Sequence, residues 1–259
     1  MAEAVYTPVI TSAKVMFAAL GLRFDRVGTD LVPARGGAVL ASNHVSYYDF
    51  IFCGYAAHPS KRLVRFMAKD SVFRHRISGP LMRGMKHIPV DRSAGADAYR
   101  LAVDALRAGE IVGVFPEATI SRSFELKDFK SGAARMAAEA GVPLIPMITF
   151  GGQRMWTKGH QRRHGRGTCI ALTVGEPMSV APDDDPTEVT ALLHRRMSVL
   201  LDQTLERYPQ KPTEPGAWWW PQRLGGGAPT LEEAAAMDAE EAAERQRARE
   251  QRDPGAAPA

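Results

Sequence analysis

Short apolar runs that alternate with helix-like segments constrain the fold of this chain more than any other feature. The runs are AVLAS (38–42), LVRFMA (63–68), HIPV (87–90), IVGVF (111–115), PLIPMITF (143–150) and CIALTVG (169–175). Segments with helical spacing lie between them, at 49–58, about 70–83 as two short pieces broken at Gly79-Pro80, 94–109, 131–141 and 185–208. Strands that alternate with helices form a parallel sheet covered by helices. The pattern therefore predicts one α/β domain with a largely parallel sheet.

The two ends of the chain differ from this central region. Residues 5–24, VYTPVITSAKVMFAALGLRF, are spaced as an amphipathic helix, so we expect a helical element over residues 1–28. This element either packs on its own domain or lies in a membrane interface. Residues 209–259 become rich in proline and glycine and then charged, which predicts a partly disordered tail. The central domain is then expected over residues 29–208.

The tail contains two features that need separate expectations. Its charged, alanine-rich part is expected to form an isolated helix or none, and the final DPGAAPA (253–259) to be disordered. The tryptophans Trp218, Trp219 and Trp220 either staple the tail onto the domain, which we favour, or lie at a membrane interface.

Composition limits the partners and the cellular setting. The net charge is +4, with cationic residues concentrated in 61–92 and 151–168 and acidic residues in the tail. A basic core points to an anionic partner, which can be a phosphate, a lipid headgroup or a nucleic acid. Two cysteines cannot form a disulfide framework, so a reducing, cytosolic setting is expected. The start MAEAVYTP lacks a secretory signal pattern, and no run has the roughly 18 apolar residues of a spanning helix.

The stretch SNHVSYYDF (42–50) is the first candidate for chemistry. It places His44 and Asp49 between the end of a predicted strand and the start of a predicted helix, where ligands bind in open α/β folds. An imidazole beside a carboxylate is suited to take a proton near neutral pH. Asp49 alone is equally explained as a helix cap. The chain has no GxSxG, GxxxxGK or GxGxxG motif, and His160 and His164 lack a nearby thiol, so we expect no metal site.

Further polar residues follow the neighbouring strands. The block VFPEATISRS (114–123) and the helix start after it contribute Glu117, Thr119, Ser121, Arg122 and Lys130, and GMKHIPVDRS (84–93) ends in Asp91 and Arg92. A lysine at a helix start suits an anion, because the first amides of a helix are free. Each of these residues also has a structural explanation, as a capped turn, a surface ion pair or a solvated lysine.

Together, these blocks resemble the glycerolipid acyltransferases, the 1-acylglycerol-3-phosphate acyltransferase (PlsC-like) family. The family pattern consists of NHxxxxD, a strand end with arginine, FPEGTRS and VPxxP, which appear here as NHVSYYD, KHIPVDR, FPEATIS and VPLIP. The resemblance covers about residues 35–175. It implies a mixed sheet flanked by helices, an amphipathic N-terminal helical element on the membrane, and an apolar groove for the acyl chain.

The resemblance also implies the reaction and its residues. Family members move an acyl chain from a thioester, on coenzyme A or acyl carrier protein, to a hydroxyl of a glycerol phosphate, and 1-acylglycerol-3-phosphate then gives phosphatidic acid. His44 is implied as the general base, Asp49 as its orienting carboxylate, Arg92 as the phosphate ligand and Glu117 as the group that positions the acceptor. Thr119, Ser121, Arg122 and Lys130 are expected to contact the substrate.

The implied partners are few. The thioester is a co-substrate and no cofactor or metal is expected, nor any nucleic acid. The expected partners are acyl-CoA, lysophosphatidate or glycerol 3-phosphate, and a membrane lipid surface. The expected location is the cytoplasmic face of the cell membrane, in a peripheral or monotopic form.

The chain departs from the family pattern at two positions, which leaves alternatives open. Ile120 stands where the family has an arginine that helps bind phosphate, and isoleucine cannot form a fork with an anion. Either Arg122 or Lys130 replaces it, or the acceptor is glycerol 3-phosphate or another glycerolipid or glycolipid. Ala118 replaces a glycine and disfavours a left-handed backbone. An acyl thioesterase and a basic membrane- or nucleic-acid-binding module are the remaining alternatives.

Overall fold

The chain folds into two compact units in the computed structural model, which describes residues 5–76, 78–90 and 95–252. The first unit contains the residues up to Ile120 together with Leu126–Lys211. The second contains Ser121–Glu125 and the chain from Pro212 onward. The described part of the N-terminal element expected at 1–28 thus belongs to the same unit as the central domain, and the tail expected from residue 209 lies in the second unit from Pro212 onward.

The first unit is built on a seven-stranded sheet. Its strands are β1 (Arg23–Val27), β2 (Ala38–Ser42), β3 (Val64–Lys69), β4 (Ile88–Val90), β5 (Ile111–Val114), β6 (Leu144–Phe150) and β7 (Cys169–Val174). They are ordered β1-β7-β6-β2-β5-β3-β4, and every neighbouring pair is parallel except β6 and β7. The prediction of one α/β domain with a mixed, largely parallel sheet is confirmed.

Helices flank this sheet. Those of the first unit are α1 (Tyr6–Ala19), α2 (Asp49–Ala56), α3 (Asp70–Arg74), α4 (Ser78–Gly84), α5 (Gly95–Arg107), α6 (Gly132–Ala140) and α7 (Pro186–Arg207). Strands β2, β6 and β7 are buried along their whole length, which explains their uninterrupted apolar sequences. Because β2, β5 and β6 are parallel neighbours, their carboxyl ends meet at one edge of the sheet.

The N-terminal region differs from its prediction. The helix ends at Ala19 instead of continuing through residue 24, because Gly21 turns the chain with φ +58° and Arg23–Val27 then pairs with β7. This edge strand, RFDRV, combines three charged residues with two apolar ones and is only partly buried, so it lacks the apolar run that marks the other strands. The second difference is the break between α3 and α4, which precedes Ser78. Pro80 lies in the first turn of α4, where proline is tolerated.

Helix α1 packs on its own domain. The Tyr6 hydroxyl donates to the carbonyl of Val64 over 2.6 Å, and the buried Phe17 ring lies 5.3 Å from the Tyr55 ring. The outer face of α1 still exposes Val15, which is 63% accessible. Among the described residues, no helix has the length and apolar character needed to cross a membrane.

The second unit contains helix α8 (Leu231–Arg252). Its start is a capping box, because the Thr230 hydroxyl accepts from the Glu233 amide and the Glu233 carboxylate accepts from the Thr230 amide. The segment expected to form an isolated helix or none forms α8, whose Asp238 and Glu241 pair with Arg122 in the same unit. Within this unit Trp220 is buried, and Trp218 packs edge-on against Phe124 at 6.4 Å. The final DPGAAPA lies outside the described residues.

Gly113, in the middle of β5, generates a prediction about the sheet. A Cβ at this position would lie 2.4 Å from the Phe66 ring and 2.8 Å from Val64. We expect Gly113→Ala to lower the free energy of unfolding by about 1–3 kcal/mol, the usual cost of overpacking a core. Urea unfolding measures the change. Gly132→Ala is the matched control, because nothing lies within 4 Å of its added Cβ, and it should stay within about 1 kcal/mol of the parent protein. Equal stability of both variants would contradict the prediction.

Candidate active site

His44 and Asp49 meet at the carboxyl edge of the sheet. His44 lies two residues after β2, and Asp49 begins α2. His44 Nδ1 lies 2.9 Å from Asp49 Oδ2. The Asp49 side chain is fully buried, whereas the His44 side chain is 20% accessible. The pair predicted from the sequence is therefore formed, with its imidazole open to solvent and its carboxylate enclosed.

The surroundings of Asp49 determine how the imidazole is held. Asp49 Oδ2 also accepts from the backbone amides of Val45 and Ser46, both over 2.7 Å. Asp49 Oδ1 accepts from the Thr149 hydroxyl over 3.1 Å. A carboxylate surrounded by donors acts as an acceptor toward His44 Nδ1, so Nδ1 carries the proton and Nε2 keeps the basic lone pair. The arrangement can accept a proton at Nε2 and stabilise the resulting imidazolium.

Aromatic rings fix the plane of the imidazole. The His44 ring stacks on Phe115 with centroids 4.2 Å apart and planes 16° apart. Phe115 in turn stacks on Phe66 at 5.9 Å and 14°. Since Phe66 covers Gly113, the position of the imidazole depends on strand β5 beneath it.

A clamp between β2 and β6 was not identified from the sequence. The Asn43 side-chain amide donates to the Thr149 carbonyl over 3.0 Å, and its oxygen accepts from the Thr149 amide over 2.7 Å. Thr149 therefore binds Asn43 through its backbone and Asp49 through its hydroxyl. A polar residue near the end of the apolar run PLIPMITF was the available signal.

Glu117 braces the backbone of the histidine turn. Its Oε1 accepts from the His44 amide over 2.9 Å, and its Oε2 from the Lys127 amide over 3.2 Å. Burial raises the pKa of the Glu117 carboxyl to about 8, although the two amide donors oppose this shift. Both described hydrogen bonds of the Glu117 carboxyl group are therefore made with backbone amides.

The turn after Glu117 contains both departures from the family pattern. Ala118 adopts φ +60°, the left-handed conformation that alanine disfavours, and its amide donates to the Phe115 carbonyl over 3.0 Å. The family glycine would adopt this conformation without strain. Ile120 is buried, so the position of the family arginine faces the protein interior here.

The remaining predicted residues have different surroundings. Thr119 is half-buried, and Lys130 is exposed beside the start of α6. Ser121 is fully buried and its hydroxyl donates to the Glu125 carbonyl over 2.7 Å. Arg122 forms ion pairs with Asp238 and Glu241 within the second unit. Arg92, together with Asp91, lies outside the described residues.

An apolar groove of about 610 Å³, including its opening to solvent, lies between α1, α2 and β3. Its walls include Ile10 and Phe17 from α1, Phe50 and Gly54 from α2, and Phe66 from β3. Phe66 belongs to both the groove and the stack under His44. The lining of the groove is mostly apolar, which suits a hydrocarbon chain.

The described residues were also compared with the requirements of a metal site and of a cysteine nucleophile. Within residues 5–76, 78–90 and 95–252, no three histidine, cysteine or acidic side chains are grouped as metal ligands. Cys53 and Cys169 are both buried, and burial raises the pKa of each thiol. A buried thiol with a raised pKa is a poor nucleophile.

The buried Glu117 carboxyl generates a prediction about stability. Between about pH 4.5 and 8 the unfolded chain loses this proton while the folded protein keeps it, so the contribution of Glu117 to the free energy of unfolding falls as pH rises. The fall is on the order of 4 kcal/mol across this range. We expect the difference in unfolding free energy between the parent protein and Glu117→Gln to follow this trend in urea titrations. Glu206→Gln, at an exposed site on α7, controls for the loss of one carboxyl group, and a difference that does not change with pH would contradict the prediction.

Comparison with known proteins identifies what this chain is similar to. A family model described as Acyltransferase matches residues 23–149, which begin at β1 and end at Thr149. The 1-acyl-sn-glycerol-3-phosphate acyltransferase of Bacillus subtilis (strain 168) is 30% identical over 154 residues, which cover 58% of this chain and 71% of that protein. A protein of the same name from Limnanthes douglasii is 33% identical over 126 residues, which cover 47% of this chain and only 44% of the plant protein.

A solved structure shares the fold. It is the crystal structure of the 1-acyl-sn-glycerophosphate (LPA) acyltransferase PlsC from Thermotoga maritima, with a TM-score of 0.66, 20% identity, and coverage of 79% of this chain and 81% of that one. The chain belongs to the PlsC-like glycerolipid acyltransferases, the family of the 1-acylglycerol-3-phosphate acyltransferases, and is an O-acyltransferase.

Proposed function

We propose that this enzyme transfers a fatty acyl group from a thioester, on coenzyme A or acyl carrier protein, to the free hydroxyl of 1-acylglycerol-3-phosphate, and so forms phosphatidic acid. The observation that carries the proposal is the contact of a partly exposed His44 with a fully buried Asp49 at the carboxyl edge of the sheet. The names of the relatives from Bacillus subtilis and Limnanthes douglasii support the choice of acceptor.

In the proposed reaction, His44 Nε2 removes the proton of the acceptor hydroxyl while the hydroxyl oxygen attacks the thioester carbonyl carbon. The carbon–oxygen bond forms, and the tetrahedral intermediate collapses by breaking the carbon–sulfur bond. The departing thiolate takes the proton from the imidazolium, which returns His44 to its neutral form. This series of steps needs no covalent acyl-enzyme. A positioned base of this kind contributes roughly 10²–10⁴-fold in rate.

Asp49 has two proposed tasks in this reaction. Its Oδ2 keeps the proton of His44 on Nδ1, so that Nε2 faces the acceptor. Its negative charge stabilises the imidazolium that forms during attack. The bonds from Val45, Ser46 and Thr149 hold the carboxylate in place, so these tasks require no rearrangement during the reaction.

Cationic side chains other than Arg122 are proposed to bind the phosphate of the acceptor. Arg92 is the residue that the family resemblance implies for this task. Lys130 is exposed next to the start of α6, and its ammonium suits an anion better than an arginine already held by two carboxylates. With Ile120 buried, the acceptor's phosphate is contacted differently here from the family pattern. Glycerol 3-phosphate, or another glycerolipid or glycolipid, remains the alternative acceptor.

The acyl chain is proposed to occupy the groove between α1 and α2. The groove is lined mostly by apolar side chains, and one of them, Phe66, stacks on Phe115, which in turn stacks on His44. Both substrates carry long apolar chains, so we propose that the enzyme works as a peripheral protein at a lipid surface, on the cytoplasmic face of the membrane. The exposed outer face of α1, with Val15 and Lys14, supports contact with that surface.

The proposed general base gives a direct test. His44→Ala should lower kcat for transfer of an oleoyl group from oleoyl-CoA to lysophosphatidate by at least about 100-fold, because the acceptor hydroxyl loses its base. Products are identified by mass spectrometry over a panel of acceptors that includes glycerol 3-phosphate and both lysophosphatidate isomers. His194→Ala is the control, since it removes an imidazole of α7 that packs against Phe129.

Two results would overturn the proposal in different ways. Retention of most transfer activity by His44→Ala would remove the residue from the mechanism. Release of thiol by the parent protein at the same rate with and without an acceptor would indicate a thioesterase that activates water with the same pair.

The groove gives a second test. Gly54 lies on α2 and nothing is within 4 Å of a Cβ added there, so Gly54→Leu projects into the groove without displacing the backbone. Losing room for about two methylene groups costs roughly 1.6 kcal/mol, or about tenfold in kcat/KM for long chains. We expect the ratio of kcat/KM for oleoyl-CoA to that for octanoyl-CoA to fall about tenfold. Gly132→Leu, at an open helix position outside the groove, should leave the ratio unchanged. An unchanged ratio in Gly54→Leu would place the acyl chain elsewhere.

A further inference from the structure

The loop that follows Glu117 leaves the active site and returns to it. At its start, Glu117 accepts from the His44 amide, and at its end the Lys127 amide donates to the same carboxylate. Between these two points the chain passes through Ser121–Glu125, which belong to the second unit. The catalytic turn and the C-terminal segment are thus connected through one short stretch of backbone.

The C-terminal segment holds this stretch at three of its side chains. Arg122 Nε lies 3.0 Å from Asp238, and its Nη2 lies 2.9 Å from Glu241, both on α8. Phe124, fully buried, packs against Trp218. Glu125 forms an ion pair with Arg223. Arg122 is only 10% accessible, so its two ion pairs are shielded from water and are worth more than exposed ones.

Backbone strain is a second, independent observation on the same loop. Ala118 has φ +60° and Phe124 has φ +59°. For a bulky residue such as phenylalanine, this conformation is a true outlier, and it persists only where the surrounding structure enforces it. The Phe124 ring packs against Trp218 of the C-terminal segment, so this segment supplies a contact at the strained residue.

We propose that the C-terminal segment is a positioning element of the acyltransferase site, with Asp238 and Glu241 acting through Arg122 on the loop 117–127. The inference rests on the proposed function, and it assigns the Arg122 guanidinium to the C-terminal segment instead of to the acceptor's phosphate. Asp238, Glu241 and Arg122 are positioning residues, because they act on the His44 turn through Glu117. Holding the loop keeps the Glu117 carboxyl group in hydrogen-bond contact with the His44 amide.

The test compares Arg122→Gln with the double variant Asp238→Asn/Glu241→Gln and with the combined triple variant, all in the full-length chain. If the loop is positioned by the ion pairs, both sets of changes lower kcat about 10- to 100-fold, the effect of a misplaced reacting group. The KM for lysophosphatidate stays near its parent value in each. The triple variant is no worse than the double variant, because all three residues act as one unit. Thermal melts verify that every variant is folded at the assay temperature.

Hydrogen exchange followed by mass spectrometry measures the protection of the same loop in the absence of substrate. Amide exchange in residues 117–127 should accelerate in Arg122→Gln and in the double variant. Glu240→Gln removes a neighbouring exposed carboxylate of α8 and should change neither exchange nor kcat.

The outcomes separate the competing explanations. If Arg122→Gln raises the KM for lysophosphatidate while the double variant Asp238→Asn/Glu241→Gln lowers it, Arg122 is a phosphate ligand that the C-terminal segment restrains. That result would overturn the proposal. Unchanged exchange, or faster exchange with unchanged kcat and KM, also overturns it. If the parent protein transfers no acyl group to lysophosphatidate, the proposed function fails, whereas the exchange comparison still decides whether the C-terminal segment holds the loop.

Discussion

The buried carboxylate of Asp49 is the interaction on which the site depends. It joins parts of the chain that are far apart in sequence, because His44, the amides of the same turn and Thr149 all donate to it. Burying a carboxylate is costly unless donors surround it. The fold supplies those donors by placing β2 and β6 side by side, so the geometry of the His44–Asp49 pair follows from the order of strands in the sheet.

The stack of rings gives a second level of control over the same imidazole. His44, Phe115 and Phe66 form a continuous column that ends on a glycine of β5 and borders the apolar groove. A column of this kind transmits steric changes, because packed interiors have little free volume. The groove and the imidazole therefore share one column of packed rings, an arrangement that suits the proposed reaction, in which an apolar chain and a base come together.

Much of the fold and part of the site could be predicted from sequence. The buried strands and the His44–Asp49 pair gave clear signals because apolar runs and local motifs are encoded by neighbouring residues. The edge strand Arg23–Val27 was missed because its half-exposed, charged sequence resembles the end of the preceding helix. The clamp from Asn43 to Thr149 and the ion pairs of Arg122 could not be predicted, since they join residues about 100 positions apart through tertiary packing. The role of Arg122 illustrates this limit: its charge was visible, but its partners were not.

The membership of Ser121–Glu125 in the second unit has a consequence for how such enzymes diverge and how they can be recombined. The family match over residues 23–149 includes this stretch but not the chain from Pro212 onward. Physically it completes the core of a segment that begins at Pro212, so the two must change together. A chimaera that exchanges either piece alone would create a mismatched interface inside one unit, and a homologue without the C-terminal segment would need a different way to shield Phe124.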